Sequence, residues 1–383
     1  MSVTAAQGFR ASGVAAGLKS SGATDVALVV NDGPADAAAA VYTTNRCKAH
    51  PVLWSERASA DGVVRAVVLN SGGANCYTGP DGFATTHATA ELVAGLLGLS
   101  AVDVVVCSTG LIGADLDRAK LSAGVEMAAE ALAVDGGEAA ATAIMTTDTH
   151  AKQATVRRDG WAVGGMAKGA GMLAPALATM LVVVTTDADV DAASCERALR
   201  AATRVTFDRL DSDGCMSTND TVVLMASGAS GIRPAPTELD DAVRAVCHDL
   251  AQQLMRDAEG ADHDIAIEVR GAASEEDAVE VGRAVARSNL FKAAVFGRDA
   301  NWGRILAAAG TTRAAFEPHE LDVAMNGVWI AKGGQPGESR DLVDLAAREV
   351  QIVVDLHAGD ATATVWTNDL THAYVHENSA YAS

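Results

Sequence analysis

The 383-residue sequence predicts a mixed α/β protein built from packed layers of sheet and helix. Short apolar runs rich in β-branched residues alternate along the chain with segments of helical periodicity, which is the pattern of this fold class. Hydrophobic residues make up 49% of the chain, enough for an extensive core. Aromatic residues make up only 4%, so we expect small side chains to fill that core.

The predicted strands are short apolar segments, and the first two end in loops rich in glycine and hydroxyl residues. Residues 63–69 lead into NSGGANCYTG, and residues 102–107 lead into STGLIG. Binding groups are often carried by such loops at the edge of a rigid scaffold. Further strands are predicted at 180–184 and 265–269, with a hairpin across HAGD formed by 350–356 and 361–366.

Helices are predicted where apolar residues recur at intervals of three and four. The most regular helix follows Thr237, a suitable N-cap residue, and ends before Gly260, a suitable residue for the position after a helix C-terminus. Its apolar face carries Val243, Val246, Leu250 and Leu254. The other predicted helices cover residues 88–97, 116–133, 189–203 and 275–288.

The charge balance argues against partners with many phosphates. Twenty-nine basic and 49 acidic residues give a net charge of −20. Such a chain repels nucleic acid and anionic membrane surfaces. We therefore expect an anionic substrate to be bound by a few placed cations, with no nucleic-acid or membrane partner.

Cysteine usage and the N-terminal segment predict a cytoplasmic protein. The six cysteines are widely spaced and include no CxxC pair, so we expect buried thiols of a reducing compartment. The N-terminus lacks the pattern of a signal peptide, and no apolar run approaches membrane-spanning length. His372 and His376 have a spacing that could hold a metal, but no third ligand is evident, and no metal site is predicted.

The segment Cys107-Ser-Thr-Gly110 is a candidate for binding a developing negative charge. It places two hydroxyls and a glycine amide directly after a predicted strand. Hydrogen-bond donors at such a place can stabilise an oxyanion in acyl transfer. A simple turn is the alternative interpretation.

Two further segments carry candidate polar contacts. Three threonines surround Asp148 in IMTTDTHAK, which fits either turn hydrogen bonding or a polar cradle for a substrate. Glu259 follows the predicted long helix, where the helix dipole disfavours a carboxylate. Its side chain is expected to face either solvent or a cation, such as a substrate ammonium.

The segment KGAGMLAPALATMLVVV joins a glycine-rich half to an apolar strand at Thr179. Threonine is a good strand residue, and this alone explains its position. The alternative is that Gly169, Gly171 and Pro175 shape the approach to a threonine nucleophile.

Taken together, these segments resemble the ornithine acetyltransferase family of arginine biosynthesis, also called glutamate N-acetyltransferase. Nine motifs occur in the expected order along nearly the whole chain. They are GFRASGVAAGLK, NSGGANCYTG, CSTGLIG, AIMTTDT, GGMAKGAGMLAPALATML, DSDGCMSTNDTVVL, DAEGA, GRDANWGR and YVHENSAYAS.

The resemblance implies that the chain cleaves itself between Ala178 and Thr179. Residues 1–178 would become an α chain and residues 179–383 a β chain, and the two together would form one folded unit. Family members commonly assemble as two α and two β chains. The implied fold is a layered α/β sandwich of the ornithine acetyltransferase or DmpA-like type, with a smaller C-terminal α/β region.

The resemblance also implies a ping-pong acetyl transfer from N-acetylornithine to glutamate through an acetyl-threonine intermediate. Thr179 would be the nucleophile, activated by the α-amine that cleavage creates, and Thr109 and Gly110 would form the oxyanion hole. The family's substrate contacts fall on Thr146, Lys168, Thr179, Glu259, Asn378 and Ser383. Charge assigns Lys168 to a substrate carboxylate and Glu259 to the ornithine ammonium. No cofactor is implied, although acetyl-CoA is used as a donor by some relatives.

Two other functions are considered beside acetyl transfer. A self-processing aminopeptidase or amidase of related fold would pass the acyl group to water, but such relatives usually begin their second chain with serine. A metabolite-binding protein without catalysis would remain an uncut chain. The sequence departs from the family after DAEGA, where Asp262 and His263 replace a common Thr-Lys pair and remove a cation near Glu259.

Overall fold

Two β-sheets packed face to face form the centre of the structure, and a third sheet forms the C-terminal part. The computed structural model describes residues 2–172 and 180–380. Its strands are β1 (Phe9–Val14), β2 (Val26–Asn31), β3 (Ala38–Tyr42), β4 (Ala66–Asn70), β5 (Val104–Ser108), β6 (Lys152–Arg158), β7 (Trp161–Lys168), β8 (Leu181–Thr186), β9 (Thr221–Ala226), β10 (Asp264–Ala272), β11 (Asp322–Met325), β12 (Val328–Lys332), β13 (Gln335–Pro336), β14 (Glu349–Asp355) and β15 (Ala361–Asn368).

Helices cover the outer faces of these sheets. They are α1 (His50–Ala58), α2 (Gly79–Leu97), α3 (Arg118–Glu130), α4 (Gly137–Ala143), α5 (Ala192–Val205), α6 (Pro236–Arg256), α7 (Glu275–Ala286), α8 (Asn289–Phe296), α9 (Trp302–Ala309) and α10 (His372–Ala380). The helices predicted from periodicity correspond to α2, α3, α5, α6 and α7. The start of α2 is earlier than predicted because Pro80 suits a first helical turn and does not interrupt it.

The first sheet has the strand order β1-β2-β4-β5. Strands β4 and β5 run parallel, with Asn70 opposite Ser108. Parallel neighbours end at the same edge of a sheet, so the loops after β4 and β5 leave side by side. This alignment brings the predicted loops NSGGANCYTG and STGLIG together.

The second sheet has the order β3-β9-β8-β7-β6. Strands β8 and β9 are parallel, with Leu181 opposite Thr221. Strand β7 runs antiparallel to β8 and places Lys168 opposite Leu181. The end of β7 and the starts of β8 and β9 therefore meet at one edge.

Alternating side chains of the second sheet fill two separate core layers. In β8, Val182 and Val184 pack with α5 and α6, whereas Leu181 and Val183 pack against the first sheet. The outer face of the first sheet packs on α2 and α3. The order of layers is helix, sheet, sheet, helix, which confirms the predicted layered α/β sandwich.

The C-terminal sheet has the order β13-β12-β11-β14-β10-β15 and its own core with α7, α8 and α9. It confirms the predicted smaller C-terminal α/β region. The predicted hairpin of 350–356 with 361–366 is wrong. Strand β10 lies between β14 and β15, parallel to the first and antiparallel to the second. Its buried residues Ile265, Ile267 and Val269 suit a central strand better than an edge.

Two predictions about the ends of α6 are also wrong. The N-cap is Ala235, and Thr237 lies inside the first turn, which begins at Pro236. Ala235 has no side chain that could cap the helix. Its own amide N–H is satisfied by the Glu238 carboxylate, which accepts it at 2.9 Å. The helix ends at Arg256, so Gly260, with a φ of +61°, belongs to the turn that follows.

The prediction that the cysteines are buried is confirmed for four of the six residues. All six are free thiols; Cys47 and Cys215 are exposed and the other four are buried. Among the described helices, none has the length and apolar character needed to cross a membrane.

Candidate active site

The loop after β5 carries the predicted oxyanion residues. Thr109 is buried, and its amide N–H donates to the Asn70 carbonyl oxygen at 2.9 Å. Gly110 has a φ of +129°, and a Cβ atom there would lie 2.9 Å from Gly73 Cα. A side chain at position 110 would therefore both strain the backbone and collide with the neighbouring loop.

Two asparagine side chains fix this loop, and neither was predicted from the sequence as a functional residue. Asn219 Nδ2 donates to the carbonyl oxygens of Ala74 at 2.6 Å and Ser108 at 2.8 Å. Asn70 Nδ2 donates to Ser108 Oγ at 2.6 Å. Buried side-chain amides that donate to the polar groups of a loop, as these two do, hold the loop in one conformation.

Lys168 contacts the same loop from the second sheet. The residue is only 2% exposed, and its ammonium donates to Thr109 Oγ1 at 3.2 Å. Burial lowers the pKa of Lys168, and the nearby carboxylate of Asp148 partly offsets this effect. The predicted cation therefore lies beside the predicted oxyanion residue.

A cavity of about 160 Å³ opens against this cluster. Thr109 and Gly110 line it together with Met172 and the segment 217–219 that precedes β9. Met172 is the last described residue before the segment that contains the predicted cleavage point. Ala178, Thr179 and Ser383 lie outside the described residues, whereas Met180, which directly follows the predicted nucleophile, is fully buried.

Buried charges connect the threonine cluster to Lys168. Asp148 accepts hydrogen bonds from the Thr146 amide at 3.0 Å, the Gly169 amide at 2.7 Å and the Lys152 ammonium at 2.7 Å. The Lys152 ammonium also contacts Asp257. The predicted turn hydrogen bonding around Asp148 is thus present. It fixes the backbone of Thr146 and of Gly169, the residue after Lys168.

The cluster shifts the acidity of Asp148. Burial alone would raise the pKa of its carboxyl, but the ammonium groups of Lys168 and Lys152 and the Gly169 amide lower it to about 2. A carboxylate with a lowered pKa adds stability at pH values above its ordinary pKa of 3.8. That contribution is lost as the pH falls from there through about 2.

Glu259 lies against the glycine segment that follows β7. Its amide donates to the Ala170 carbonyl oxygen at 3.0 Å, and a Cβ atom on Gly171 would lie 2.8 Å from its carboxylate. Asn378, on α10, donates to Glu259 Oε2 at 3.1 Å. The structure therefore brings two predicted substrate contacts together. A second cavity, of about 190 Å³, is lined by Glu259 with Lys292 and Tyr374.

The arrangement suits acyl transfer on a layered α/β scaffold. Thr109 and Gly110 line one cavity, and the buried Lys168 ammonium donates to the Thr109 hydroxyl. Such donors can stabilise negative charge on an acyl oxygen. No group of three or more His, Cys, Asp or Glu within residues 2–172 and 180–380 is placed to hold a metal ion.

Comparison with known proteins identifies the family. The ArgJ family model matches residues 10–383. The arginine biosynthesis bifunctional protein ArgJ of Streptomyces avermitilis is 67% identical over 383 residues, covering 100% of both chains. The chain belongs to the ArgJ family, and the resemblance inferred from its motifs is confirmed.

Solved structures of the family match about half of the chain. An ArgJ structure from Bacillus halodurans is 39% identical with a TM-score of 0.50, covering 52% of this chain and 98% of that one. An ornithine acetyltransferase complexed with ornithine, from Mycobacterium tuberculosis, is 55% identical with a TM-score of 0.45, covering 47% and 96%.

We predict that Lys152→Met destabilises the fold strongly. The substitution keeps an apolar stem but leaves the carboxylates of Asp148 and Asp257 buried without their shared cation. Removing one partner of a buried ion pair costs about 3–5 kcal/mol of unfolding free energy, measurable by urea unfolding at pH 7. The loss should shrink as the pH falls, because the Asp148 carboxyl, without the Lys152 ammonium that helps to lower its pKa, takes up a proton more readily than in the wild type.

The matched control for Lys152→Met is Arg200→Met. Arg200 pairs with Glu196 on the exposed face of α5, so its loss should change the unfolding free energy by less than about 1 kcal/mol. Equally small losses in both variants would contradict the structural role assigned to the buried cluster.

Proposed function

We propose that this chain transfers the acetyl group of N-acetylornithine to glutamate through an acetyl ester of Thr179. The single observation that carries this proposal is the contact of Lys168 with Thr109 at 3.2 Å, beside the start of β8. It joins a cation and a proposed oxyanion donor beside the first residue of β8, which follows the predicted nucleophile by two positions in the sequence. Membership of the ArgJ family supports an acyltransferase of arginine biosynthesis.

The hydrogen bonds of the loop indicate which donors serve the oxyanion. The Thr109 amide is already used by the Asn70 carbonyl oxygen. The Thr109 hydroxyl accepts from Lys168, so its own proton remains available for donation. Together with the Gly110 amide, for which the described residues supply no acceptor, this hydroxyl would bind the acyl oxygen of the tetrahedral intermediate.

Thr179 would act as nucleophile and its own α-amine as base. A free α-amine has a pKa of about 7.7–8.0, so near neutrality it can take the hydroxyl proton. The hydroxyl attacks the acetyl carbon, ornithine departs, and the amine of glutamate then takes the acetyl group from the ester. Cleavage of the chain is required because it creates that amine.

Substrate recognition is assigned to charged and polar groups on both sides of the glycine segment. Lys168 suits the substrate carboxylate, and Glu259, held by Asn378, suits the ornithine ammonium. Thr146, fixed by Asp148, and the terminal Ser383 complete the proposed contacts. Asp262 carries no positive charge, and the two ring nitrogens of His263 contact Asp369 and the Leu345 carbonyl oxygen, so neither side chain serves Glu259 as a cationic partner.

Division into an α chain, 1–178, and a β chain, 179–383, is part of the proposal. The Bacillus halodurans chain supports it, because that chain is matched over 98% of its length yet spans only 52% of this one. Assembly of two α and two β chains in the cytoplasm, without a bound cofactor, is proposed with it. The full-length match to an ArgJ protein favours acetyl transfer over the aminopeptidase or amidase alternative.

Thr179→Ala should give an uncut chain without transferase activity, because the variant lacks both the attacking oxygen and the new threonine terminus. A denaturing gel should show one band near 39 kDa in place of two. N-terminal sequencing of the shorter wild-type product should read TMLVV. Two bands from the variant would place the cleavage point elsewhere.

Thr109→Ala should fold and bind N-acetylornithine but turn over more slowly. Loss of one oxyanion donor typically reduces kcat by about 10²-fold to 10³-fold. Steady-state kinetics with glutamate as acceptor measures the loss, and calorimetry checks binding. Unchanged turnover would remove the loop after β5 from the mechanism.

Acetyl-CoA is proposed as a second acetyl donor. The purified wild-type protein should form acetylglutamate from acetyl-CoA and glutamate, and Thr179→Ala should not. Formation at equal rates in both proteins would assign the activity to a contaminant or to uncatalysed transfer.

A further inference from the structure

Asp220 is a fully buried residue just before β9, the strand that pairs with β8. It directly precedes β9, whose first residue lies opposite Leu181 of β8. Asp220 Oδ1 accepts the Met180 amide N–H at 3.1 Å. The Met180 carbonyl oxygen accepts the Thr221 amide at 3.2 Å. Both backbone groups of Met180 are therefore fixed by the start of β9.

The second oxygen of this carboxyl has no assigned function in the fold. Asp220 Oδ2 is buried and has no hydrogen-bond partner within residues 2–172 and 180–380. An ionised carboxylate is strongly disfavoured when one of its oxygens is buried without a hydrogen-bond partner. Protonation removes the buried charge, which is the larger part of that cost, and gives the carboxyl a proton that it can donate.

The surroundings of Asp220 favour the protonated form. Burial raises its pKa well above the ordinary value, although the Met180 amide opposes this. The charged group that faces it is Lys168 from β7, whose ammonium also lowers the pKa. The hydroxyls of Ser217, before β9, and Thr43, after β3, are the other side chains that lower it.

The covalent chain limits how far this carboxyl can lie from the bond that is proposed to be cut. The nitrogen of any residue lies within about 4 Å of the next residue's nitrogen, since only three bonds separate them. Because Asp220 Oδ1 accepts the Met180 N–H, chain connectivity alone keeps the nitrogen of residue 179 within about 7 Å of that oxygen. That nitrogen is the leaving group when the peptide between Ala178 and Thr179 breaks.

We propose that Asp220 is the proton donor for self-cleavage, an inference that rests on the cleavage put forward under the proposed function. A bond forms between Thr179 Oγ and the Ala178 carbonyl carbon, and the bond from that carbon to the Thr179 nitrogen breaks. Asp220 gives its proton to the departing nitrogen, which becomes the α-amine, while the hydroxyl proton passes to solvent. Water then hydrolyses the ester, freeing the Ala178 carboxylate and the Thr179 hydroxyl, and solvent reprotonates Asp220.

Lys168 is the other acid near this point, but its position suits a different function. Its ammonium is bonded to Thr109 Oγ1, on the side of the oxyanion loop. Asp220, in contrast, accepts the amide of Met180, the second residue after the proposed cleavage point. Lys168 therefore contacts the oxyanion loop, whereas Asp220 contacts the backbone on the side of the leaving nitrogen.

Asp220→Asn tests the proposal in the full-length chain. Asparagine keeps an oxygen for the Met180 amide and nearly the same volume but has no acidic proton. Purified Asp220→Asn should cleave about 10²-fold or more slowly than the wild type, the scale of a general acid. Intact mass and denaturing gels over time measure the rate, and thermal unfolding checks that the variant is folded.

Asp187→Asn is the matched control. Asp187 is also buried and accepts backbone amides, those of Ala162 at 2.8 Å and Gln7 at 2.9 Å, away from the cleavage point. It should be cut like the wild type. Cleavage of Asp220→Asn at the wild-type rate overturns the assignment of Asp220 alone, whereas an uncut, active wild type overturns the proposed function itself.

The pH dependence of cleavage gives a second test that does not require a folded variant. Wild-type precursor made by cell-free synthesis can be followed at a series of pH values. Its cleavage rate should fall on the alkaline side as Asp220 loses its proton. A rate that shows no alkaline fall over the whole pH range in which the protein stays folded overturns the proposal.

Discussion

One amide side chain joins the two stacked sheets at the candidate site. Asn219, just before β9 of the second sheet, donates to the carbonyl oxygens of Ala74 and Ser108, which belong to the loops after β4 and β5 of the first sheet. Packing of apolar faces is non-directional and allows small sliding movements. Two short hydrogen bonds from one planar group fix the register of the loops against the start of β9. The positions of Thr109 and Gly110 relative to β8 depend on this contact.

Buried charge is the second constraint, and it is unusual for an acidic protein. Lys152 and Lys168 are both almost completely removed from solvent, while the chain as a whole carries a net charge of −20. Asp148 lies between them and bonds to the backbone at Gly169. A buried ion pair is weak support for stability but defines geometry well when each member has a partner. The cluster thereby supplies the placed cations that an acidic surface does not.

The sequence was sufficient for predictions that depend on periodicity and insufficient for those that depend on pairing. The strand at 180–184 and the helical face of Val246 and Leu250 follow from local patterns, and both are present. The hairpin failed because β10, from a distant part of the chain, pairs between its two strands. Asn219 and Asp220 were not predicted as functional residues for the same reason. In the sequence they are two polar residues of a loop, and only the parallel pairing of β9 with β8 gives them partners.

The start of β8 is arranged so that the proposed cleavage point could adjoin a buried strand without loss of order. Beyond Leu181 the strand is bonded on both sides, to β7 and to β9. Met180 precedes this ladder, and without a side-chain acceptor its buried amide would be left unpaired at considerable cost. Asp220 supplies that acceptor, and the Thr221 amide binds the Met180 carbonyl oxygen. If the chain is cut as proposed, the new chain end would be held from its second residue onward, and breaking the peptide bond before Thr179 would leave the strand in the sheet.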